Sequence, residues 1–323
     1  MYRYIIARIL LMIPTIIGAG VLVFFLIRIV PGDICLTRWV DYGTKLDTSI
    51  LELCQKRLGL NEPLLIQFIN FMSEIVTLSF GKSMWTGNSM SIELLPRFAL
   101  SFQLAAMSLI ITIVIAIPLG IISAIKQNTW IDYTIRSISI FGVATPSFWL
   151  GILMLLAILN YSHLWFGEPW MPPIIYVSPF ENLWVNISQL IWPSLAVGVR
   201  YISITLRMTR SAMLDILAED YIRTARSKGV PEPTVAKTHA LRNAFLPILT
   251  LLGAEFAFLM GGLVVTEQVF NLNGLGALLI QAVETADYAI IQGVVMLIAF
   301  IFVFINFIID IIYTLLDPRI RYN

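Results

Sequence analysis

The side chains best placed for chemistry form a cluster of cations in the second half of the sequence. Residues 200–242 hold eight of the chain's 21 Lys and Arg residues, whereas residues 161–199 and 243–318 hold none. The eight are Arg200, Arg207, Arg210, Arg223, Arg226, Lys228, Lys237 and Arg242. Short cationic loops between apolar runs resist translocation, so this segment is expected to face the cytoplasm. We interpret it as the contact surface for a soluble protein.

The sequence offers little for catalysis. No Ser/His, paired-Asp or metal-ligand constellation falls at a common depth, and the two histidines, His163 and His239, are far apart. A GxxxxGK[ST] phosphate loop is also absent from the sequence, so any ATP-dependent work must be powered by another chain. We predict no catalytic residue, no metal site and no cofactor bound by this chain. The net charge of +1 points to no nucleic-acid partner.

Composition identifies an integral membrane protein. The chain has 323 residues, of which 58% are hydrophobic and 13% charged, and its mean hydropathy is +0.85. Several windows contain 18 or more nearly charge-free residues, the length that a helix needs to cross the hydrocarbon core. Because the alternating pattern of a membrane barrel is missing, we predict an all-α membrane protein.

Charge and hydropathy predict six membrane-spanning helices with both termini inside. Arg3 and Arg8 precede the first apolar run, and Arg319 and Arg321 follow the last one. In the third span, Pro146 is expected to kink the helix. The predicted spans are about 9–30, 98–125, 137–159, 189–208, 245–270 and 288–316.

These spans imply four regions, namely a first helix (1–30), a cap (31–97), a five-helix core (98–316) and a tail (317–323). Cationic loops usually stay on the cytoplasmic side, but this tendency holds only for loops shorter than about 60 residues. The cap is longer than that, and we place it outside. It should contain two short helices, about 47–58 and 63–77. Cys35 and Cys54 would then lie in an oxidising space and could form a disulfide bond. The alternative is two unpaired buried thiols.

Residues 214–228 contain neither Pro nor Gly and are predicted to form a helix. Gly229 would end it in a left-handed conformation, and a second helix would start near Thr234. One apolar stripe at helical spacing comprises Leu214, Leu217, Tyr221 and Ala225. The helix could dock in a protein groove or lie on the lipid surface with its basic face on headgroups.

Three polar residues within the spans are candidates for lining a transport path. Glu255 falls about ten residues into the fifth span, near the midplane at 1.5 Å rise per residue. Gln103 and Glu267 are weaker candidates. The alternative for Glu255 is a hydrogen bond to a neighbouring helix.

The central segment resembles the EAA loop of ABC importer inner-membrane subunits, in the form found in the dipeptide/oligopeptide/nickel branch. The resemblance covers nearly the whole chain. Its motifs are Pro31-Gly32-Asp33, Leu58 to Pro63, Thr145 to Trp149, Tyr221 to Gly229, His239 to Ala244, Pro247, Thr266-Glu267, Gly274 to Gly276, Asp287-Tyr288 and Asp317 to Tyr322. Arg223 and Thr224 depart from the general EAA pattern but look normal for the peptide branch.

The resemblance implies a permease subunit with the type I (MetI-like) importer fold, in a bacterial or archaeal inner membrane. It would pair with a homologous permease, bind two ATPase subunits that use ATP and Mg²⁺, and receive di- or oligopeptides from an extracytoplasmic binding protein. Residues 214–229 would be the coupling helix within the 214–247 loop. The implied coupling residues are Tyr221, Arg223, Thr224, Ala225, Arg226, Lys228, Gly229, His239 and Arg242.

Other readings stay open at this point. Within the same family the cargo could be nickel, an opine-like compound or an oligosaccharide. From other classes, the chain could be a self-sufficient channel, a secondary transporter or an intramembrane enzyme. A channel would need no motor, so co-purification with an ATPase separates it from an importer subunit.

Overall fold

The computed structural model describes residues 2–29, 35, 48–57, 59–77, 79, 81–83 and 85–316, and most of them are helical. The main helices are α1 (Tyr2–Ile29), α2 (Thr48–Arg57), α3 (Leu64–Val76), α4 (Met90–Ile125), α5 (Trp130–Ala144), α6 (Ser147–Phe166), α7 (Leu183–Leu217), α8 (Asp220–Ser227), α9 (Leu241–Gly262), α10 (Val264–Val269), α11 (Leu275–Glu284) and α12 (Tyr288–Leu316). The motif Pro31-Gly32-Asp33, Leu58 and the predicted tail 317–323 lie outside the described residues.

Among the described residues, five helical stretches are long and apolar enough to cross a membrane. They are Ile5–Ile29, Met90–Ile125, Ser147–Leu164, Glu232–Gly262 and Tyr288–Leu315. The predicted fourth span, which corresponds to α7, is not one of them. The sixth predicted span has the bounds that we expected, Tyr288–Leu316.

Helix α7 is long but more polar than the other spans. Its polar residues are tolerated because neighbouring helices bury them. It packs against α5, α6 and α9. Asn186 and Gln189 on α7 are almost completely buried, and so is Ser194 in the same helix. A helix enclosed by other helices does not need the uniform hydrophobicity of one that faces lipid.

The predicted third span was wrong in one respect, since Pro146 does not kink a continuous helix. Helix α5 ends at Ala144 and α6 begins at Ser147. The backbone of Thr145 is extended, with φ −83° and ψ 122°. The δ-carbon of a proline disfavours helical geometry at the preceding residue, which accounts for the break.

Three other predicted helix ends also differ. Helix α4 begins at Met90, within the predicted cap, and not at Phe98. The helical stretch before α9 begins at Glu232 with a single α turn, continues as a π-helix over Val235–Ala240 and becomes α-helical at Leu241. The predicted fifth span ran on to Phe270, but α9 ends at Gly262 and α10 follows it.

One compact unit comprises residues 1–101 and 273–307. Its core includes Val23 and Phe24 of α1, Phe71 of α3 and Met296 of α12. The rings of Phe24 and Phe68 meet edge to face with centroids 5.2 Å apart. Cys35 and Cys54 form a disulfide bond, with Cα atoms 6.0 Å apart, and Cys35 is fully buried.

The buried carboxylate of Asp287 organises the start of α12 in this unit. It accepts a hydrogen bond from the backbone N–H of Ile290 at 3.3 Å, as an N-cap does. Its other oxygen accepts from Ser83 Oγ at 2.6 Å and from the N–H of Trp85 at 3.2 Å. One side chain therefore holds the first turn of α12, Ser83 and the backbone of Trp85.

The second compact unit comprises residues 102–272 and 308–323, with α7 in close contact with small residues of its neighbours. A Cβ atom added at Gly142 of α5 would overlap Ser203 Oγ and lie 3.3 Å from the carbonyl oxygen of Val199. Ser139 Oγ donates to the carbonyl oxygen of Ser203 at 2.9 Å. The absent side chain at Gly142 therefore lets α5 approach α7 closely.

We expect Gly142→Ala to lower the stability of the permease by about 1–3 kcal/mol, the usual cost of overpacking a tight core. The thermal unfolding midpoint in detergent measures the effect. Gly262→Ala is the matched control, because a Cβ atom at Gly262 would have no neighbour within 4 Å. An equal midpoint for the two variants would contradict the tight α5–α7 contact.

Candidate functional site

The site that the sequence singled out is built around α8, a short helix that follows a break in the chain. Helix α7 ends at Leu217, where the N–H of Ala218 turns back to the carbonyl oxygen of Asp215 at 3.4 Å. Glu219 is extended, with φ −68° and ψ 147°, and α8 runs from Asp220 to Ser227. The predicted single helix over 214–228 was therefore wrong, because the break at residues 218–219 divides it.

Ile222 anchors α8 to the rest of the second unit. Its side chain is fully buried in a cluster of mostly small residues. The other buried members of this cluster are Ala124, Ala212, Met213, Val235, Ala236, Ala240 and Ala244. Alanines let the helices approach closely, so α8 packs tightly against this apolar cluster. We call the cluster the α8 bed.

Because of this break, the apolar stripe also differs from the predicted one. Leu214, Leu217 and Ala225 are partly buried against the cluster, as expected. Tyr221, however, is 42% exposed, whereas Ile222 is buried. The helical phase restarts at Asp220, which turns Ile222 inward and Tyr221 outward. Sequence periodicity read across the break could not detect this change.

The outward face of α8 carries most of the predicted coupling residues. The exposed members are Tyr221, Arg223, Thr224, Arg226, Lys228 and Gly229. The side chain of Arg223 is 72% exposed, and its guanidinium lies 3.6 Å from the carboxylate of Asp220. An ion pair this exposed contributes little to stability. Arg223 is therefore available to a partner.

The far end of α8 is closed by Gly229, as predicted. Its φ of +77° is left-handed, and the N–H of Val230 donates to the carbonyl oxygen of Ala225 at 3.2 Å. Arg226 donates two hydrogen bonds to Glu232, at 2.6 and 3.1 Å. These bonds raise the pKa of the Arg226 guanidinium, which stays charged. The turn after α8 therefore has a defined shape.

The remaining two predicted coupling residues follow α8 at some distance. His239 is half-buried in the π-helix, and its carbonyl oxygen accepts from Tyr221 Oη at 3.4 Å. Asn243 Nδ2 donates to the same hydroxyl at 2.7 Å. Arg242 is exposed. Tyr221 thus holds α8 to the start of α9, a role that its sequence position did not indicate.

One element of the site was missed by the sequence analysis, namely an ion pair between α5 and α7. Asp132 is fully buried, and Arg210 donates to its two oxygens at 2.8 Å each. Ser123 Oγ donates to the same carboxylate at 2.6 Å, and the N–H of Asn128 at 3.0 Å. Arg210 precedes Ala212 and Met213 on α7, and these two residues belong to the cluster under α8. The pair therefore fixes α7 where it supports α8.

Hydrogen bonds from Arg210 hold the pKa of the Asp132 carboxyl well below its usual range, and they outweigh the opposing effect of burial. The same bonds raise the pKa of Arg210. Both groups stay charged at physiological pH, so the pair is a permanent clamp and not a pH switch.

Two of the three candidates for a transport path have separate hydrogen-bond partners, and the third is buried. Glu255 is 3% exposed and accepts from Thr205 Oγ1 at 2.9 and 2.8 Å, a bond between α9 and α7. Gln103 accepts from Tyr176 Oη at 2.8 Å and exchanges hydrogen bonds with Asn186. Glu267 is fully buried in α10. For Glu255 this geometry agrees with the alternative of a helix–helix hydrogen bond.

Comparison with known proteins gives the family. Residues 116–322 match the family described as binding-protein-dependent transport system inner membrane component, and residues 1–123 match its N-terminal companion. The chain is 35% identical over 336 residues to the dipeptide transport system permease protein DppB of Alkalihalophilus pseudofirmus. It is 36% identical over 323 residues to the glutathione transport system permease protein GsiC of Escherichia coli. Each alignment covers 100% of both chains.

A solved structure shows the same fold. The MetNI methionine ABC transporter, in an inward-facing conformation, has a chain that aligns with a TM-score of 0.55 at 17% identity. The alignment covers 71% of this chain and 98% of that one. The expected all-α, MetI-like permease fold is confirmed. This chain is a multi-pass permease subunit and belongs to the family of inner membrane components of binding-protein-dependent transport systems.

Proposed function

We propose that this permease imports di- and oligopeptides and is driven by cytoplasmic ATPases that dock on α8. The observation that carries the coupling role is the contrast between the two faces of α8. Ile222 is fully buried on an apolar bed, while Arg223 beside it is 72% exposed. A rigidly packed helix with exposed cations transmits force better than a loop that is held only by its ends.

The geometry favours protein docking over the lipid-surface alternative. An amphipathic helix on a membrane would turn its apolar side to lipid. In α8 that side is already occupied, since Ile222 and Ala225 pack against the chain's own cluster. Among the exposed residues from Asp220 to Gly229, three are cations and one is an acid, so this face suits an acidic groove of a soluble subunit.

Peptide cargo is inferred from the full-length relatives, whose names give dipeptide and glutathione transport. Both are substrates with peptide character, which favours peptides over nickel, opine-like compounds or oligosaccharides. We infer the assembly from the family: one homologous permease, two ATPase subunits and an extracytoplasmic binding protein. ATP and Mg²⁺ would be bound by the ATPases, and this chain would hold no cofactor, no metal and no catalytic group.

The test is reconstitution of the assembled transporter in liposomes with its binding protein. We expect uptake of labelled trialanine that requires ATP on the ATPase side and stops when the ATPases are omitted. Uptake without the ATPases would indicate a self-sufficient channel or secondary transporter. ATP-dependent uptake of nickel or an oligosaccharide, with no peptide uptake, would overturn the cargo.

A substitution at Glu255 separates a helix–helix contact from a role in the path. Glu255→Gln keeps the shape of the side chain and its acceptor for Thr205, so we expect the ratio of cationic to neutral peptide uptake to stay unchanged. Thr205→Val removes the donor and should lower stability by about 1–3 kcal/mol, the cost of leaving a buried acceptor without its hydrogen bond. A changed peptide preference in Glu255→Gln would instead place this carboxylate in the path.

A further inference from the structure

The first unit contains a cavity of about 620 Å³ that the coupling and path residues do not involve. Helix α3 forms one wall with a single face, because Gln67, Asn70, Phe71, Glu74 and Ile75 recur at helical spacing. Phe24 and Arg28 of α1 form a second wall. The start of α12 forms the third with Ala289, Gln292 and Gly293, whose small members leave the space open. The volume is in the range of sites for small ligands.

Arg28 presents a fixed positive charge at one end of this cavity. Its guanidinium stacks over the ring of Phe24 at 3.4 Å and donates to the carbonyl oxygen of Phe24 at 2.9 Å. Gln67 Oε1 accepts from it at 2.6 Å. Gln67 is itself held, because its Nε2 donates to the carbonyl oxygens of Leu60 and Glu62 at 3.0 and 2.7 Å. Among the described residues, no carboxylate forms an ion pair with Arg28.

Glu74 presents a negative charge two helical turns further along α3. Its carboxylate lies over Gly81, where a Cβ atom would fall 2.7 Å from Glu74 Oε2. Gly81 also has a φ of +76°, so this position favours glycine on two grounds. Partial burial raises the pKa of the Glu74 carboxyl. Lys82 also lines the cavity, but no cation in the described part of the chain forms an ion pair with Glu74, so its carboxylate is available to a ligand ammonium.

We propose that this cavity binds a short peptide with free ends, with its carboxylate on Arg28 and its ammonium on Glu74. The distance between the two charged groups sets the length of the peptide. Gln67, which holds Arg28, and Glu74 are seven residues apart, or about 10 Å along the helix axis. Three extended residues span about 10 Å, so a tripeptide fits both charges. Asn70 lies between Gln67 and Glu74 on α3, and the amides of Asn70 and Gln292, which both line the cavity, suit a peptide backbone. This inference rests on the proposed peptide cargo.

The test uses the assembled transporter and a thiol placed in the cavity. Both native cysteines are joined in the disulfide bond, so Asn70→Cys introduces the single free thiol of this chain. We expect trialanine to protect this thiol from a charged maleimide, with labelling of this chain followed by mass. N-acetyl-trialanine and trialanine amide, which each lack one charged end, should protect about tenfold more weakly.

Variants in the Asn70→Cys background identify the ammonium partner. Glu74→Gln should raise the half-protecting concentration of trialanine about tenfold and leave that of N-acetyl-trialanine unchanged. The matched control is Glu284→Gln, which removes an exposed carboxylate of the same unit that does not line the cavity. Ala289→Leu fills the cavity and should abolish protection.

The outcomes separate this inference from the proposed function. Trialanine uptake without protection of the thiol, or with equal protection in Glu74→Gln and Glu284→Gln, overturns the cavity site and leaves the importer intact. Absence of peptide uptake by the wild-type transporter overturns the peptide cargo and this inference with it. Protection that requires both free ends and Glu74 establishes the site.

Discussion

Replacing Arg223 with glutamate is expected to lower ATP-driven peptide uptake by about tenfold or more while the permease stays folded. The side chain is 72% exposed and its one ion pair is a loose contact with Asp220, so the change costs the fold little. If α8 docks in an acidic groove, reversing this charge places like charges together at the interface, which costs several kcal/mol. Uptake in liposomes and the amount of co-purified ATPase measure the effect.

Two matched variants make this prediction specific. Lys126→Glu makes the same charge change at another exposed position, in the turn before α5, and should leave uptake near wild type. Ile222→Asp puts a carboxylate into the bed of α8 and should impair both stability and uptake. Wild-type uptake together with full ATPase recovery in Arg223→Glu would refute docking through this face.

Breaking the clamp between α5 and α7 is expected to destabilise the permease by about 3 kcal/mol. Asp132→Ala leaves Arg210 without its carboxylate, and the Arg210 side chain is only 17% exposed. Removing one partner of a buried pair costs about 3–5 kcal/mol, and the remaining exposure of Arg210 places this case at the low end. The thermal midpoint of the purified protein measures the loss, and peptide uptake should fall because the bed of α8 loses its support.

The exposed pair Arg226–Glu232 is the control for this clamp. It is also a bidentate contact, but its side chains are 41% and 44% exposed, so Glu232→Ala should cost less than about 1 kcal/mol. If the two carboxylate deletions prove equally mild, the clamp has no structural role.

The pH dependence of the clamp follows from the lowered pKa of Asp132. Its stability is complete above the pKa of an unfolded Asp, about 3.9, and is lost as the pH falls towards the lower folded pKa. The difference between wild type and Asp132→Ala should therefore be constant between about pH 5 and pH 8 and shrink below about pH 4.

Sequence reasoning recovered those features of the fold that depend on local composition. Hydropathy predicted α1, α4 and α12. The preference of helix ends for a glycine in the left-handed conformation predicted the end of α8 at Gly229. It was wrong where a local break shifts the helical phase. Neither residues 218–219 nor Thr145 carry a distinctive pattern, although the proline after Thr145 was a signal for a break and not only for a kink.

The missed contacts are those between residues far apart in sequence. Asp132 and Arg210 are separated by 78 residues, and each looks like an ordinary charge in a short loop or at a helix end. Thr205 gave no sign that it would meet Glu255. Pairings of this kind are fixed by how helices pack against each other, so one sequence read by periodicity cannot supply them.

The double role of Asp287 has a consequence for how homologous sequences should vary. Its carboxylate caps α12 and at the same time receives the hydroxyl of Ser83. A change to an apolar residue at position 287 would leave the Ser83 O–H donor without its acceptor. A bulky residue at position 83 would displace the carboxylate. Positions 83 and 287 are therefore expected to co-vary across the family, although about two hundred residues separate them.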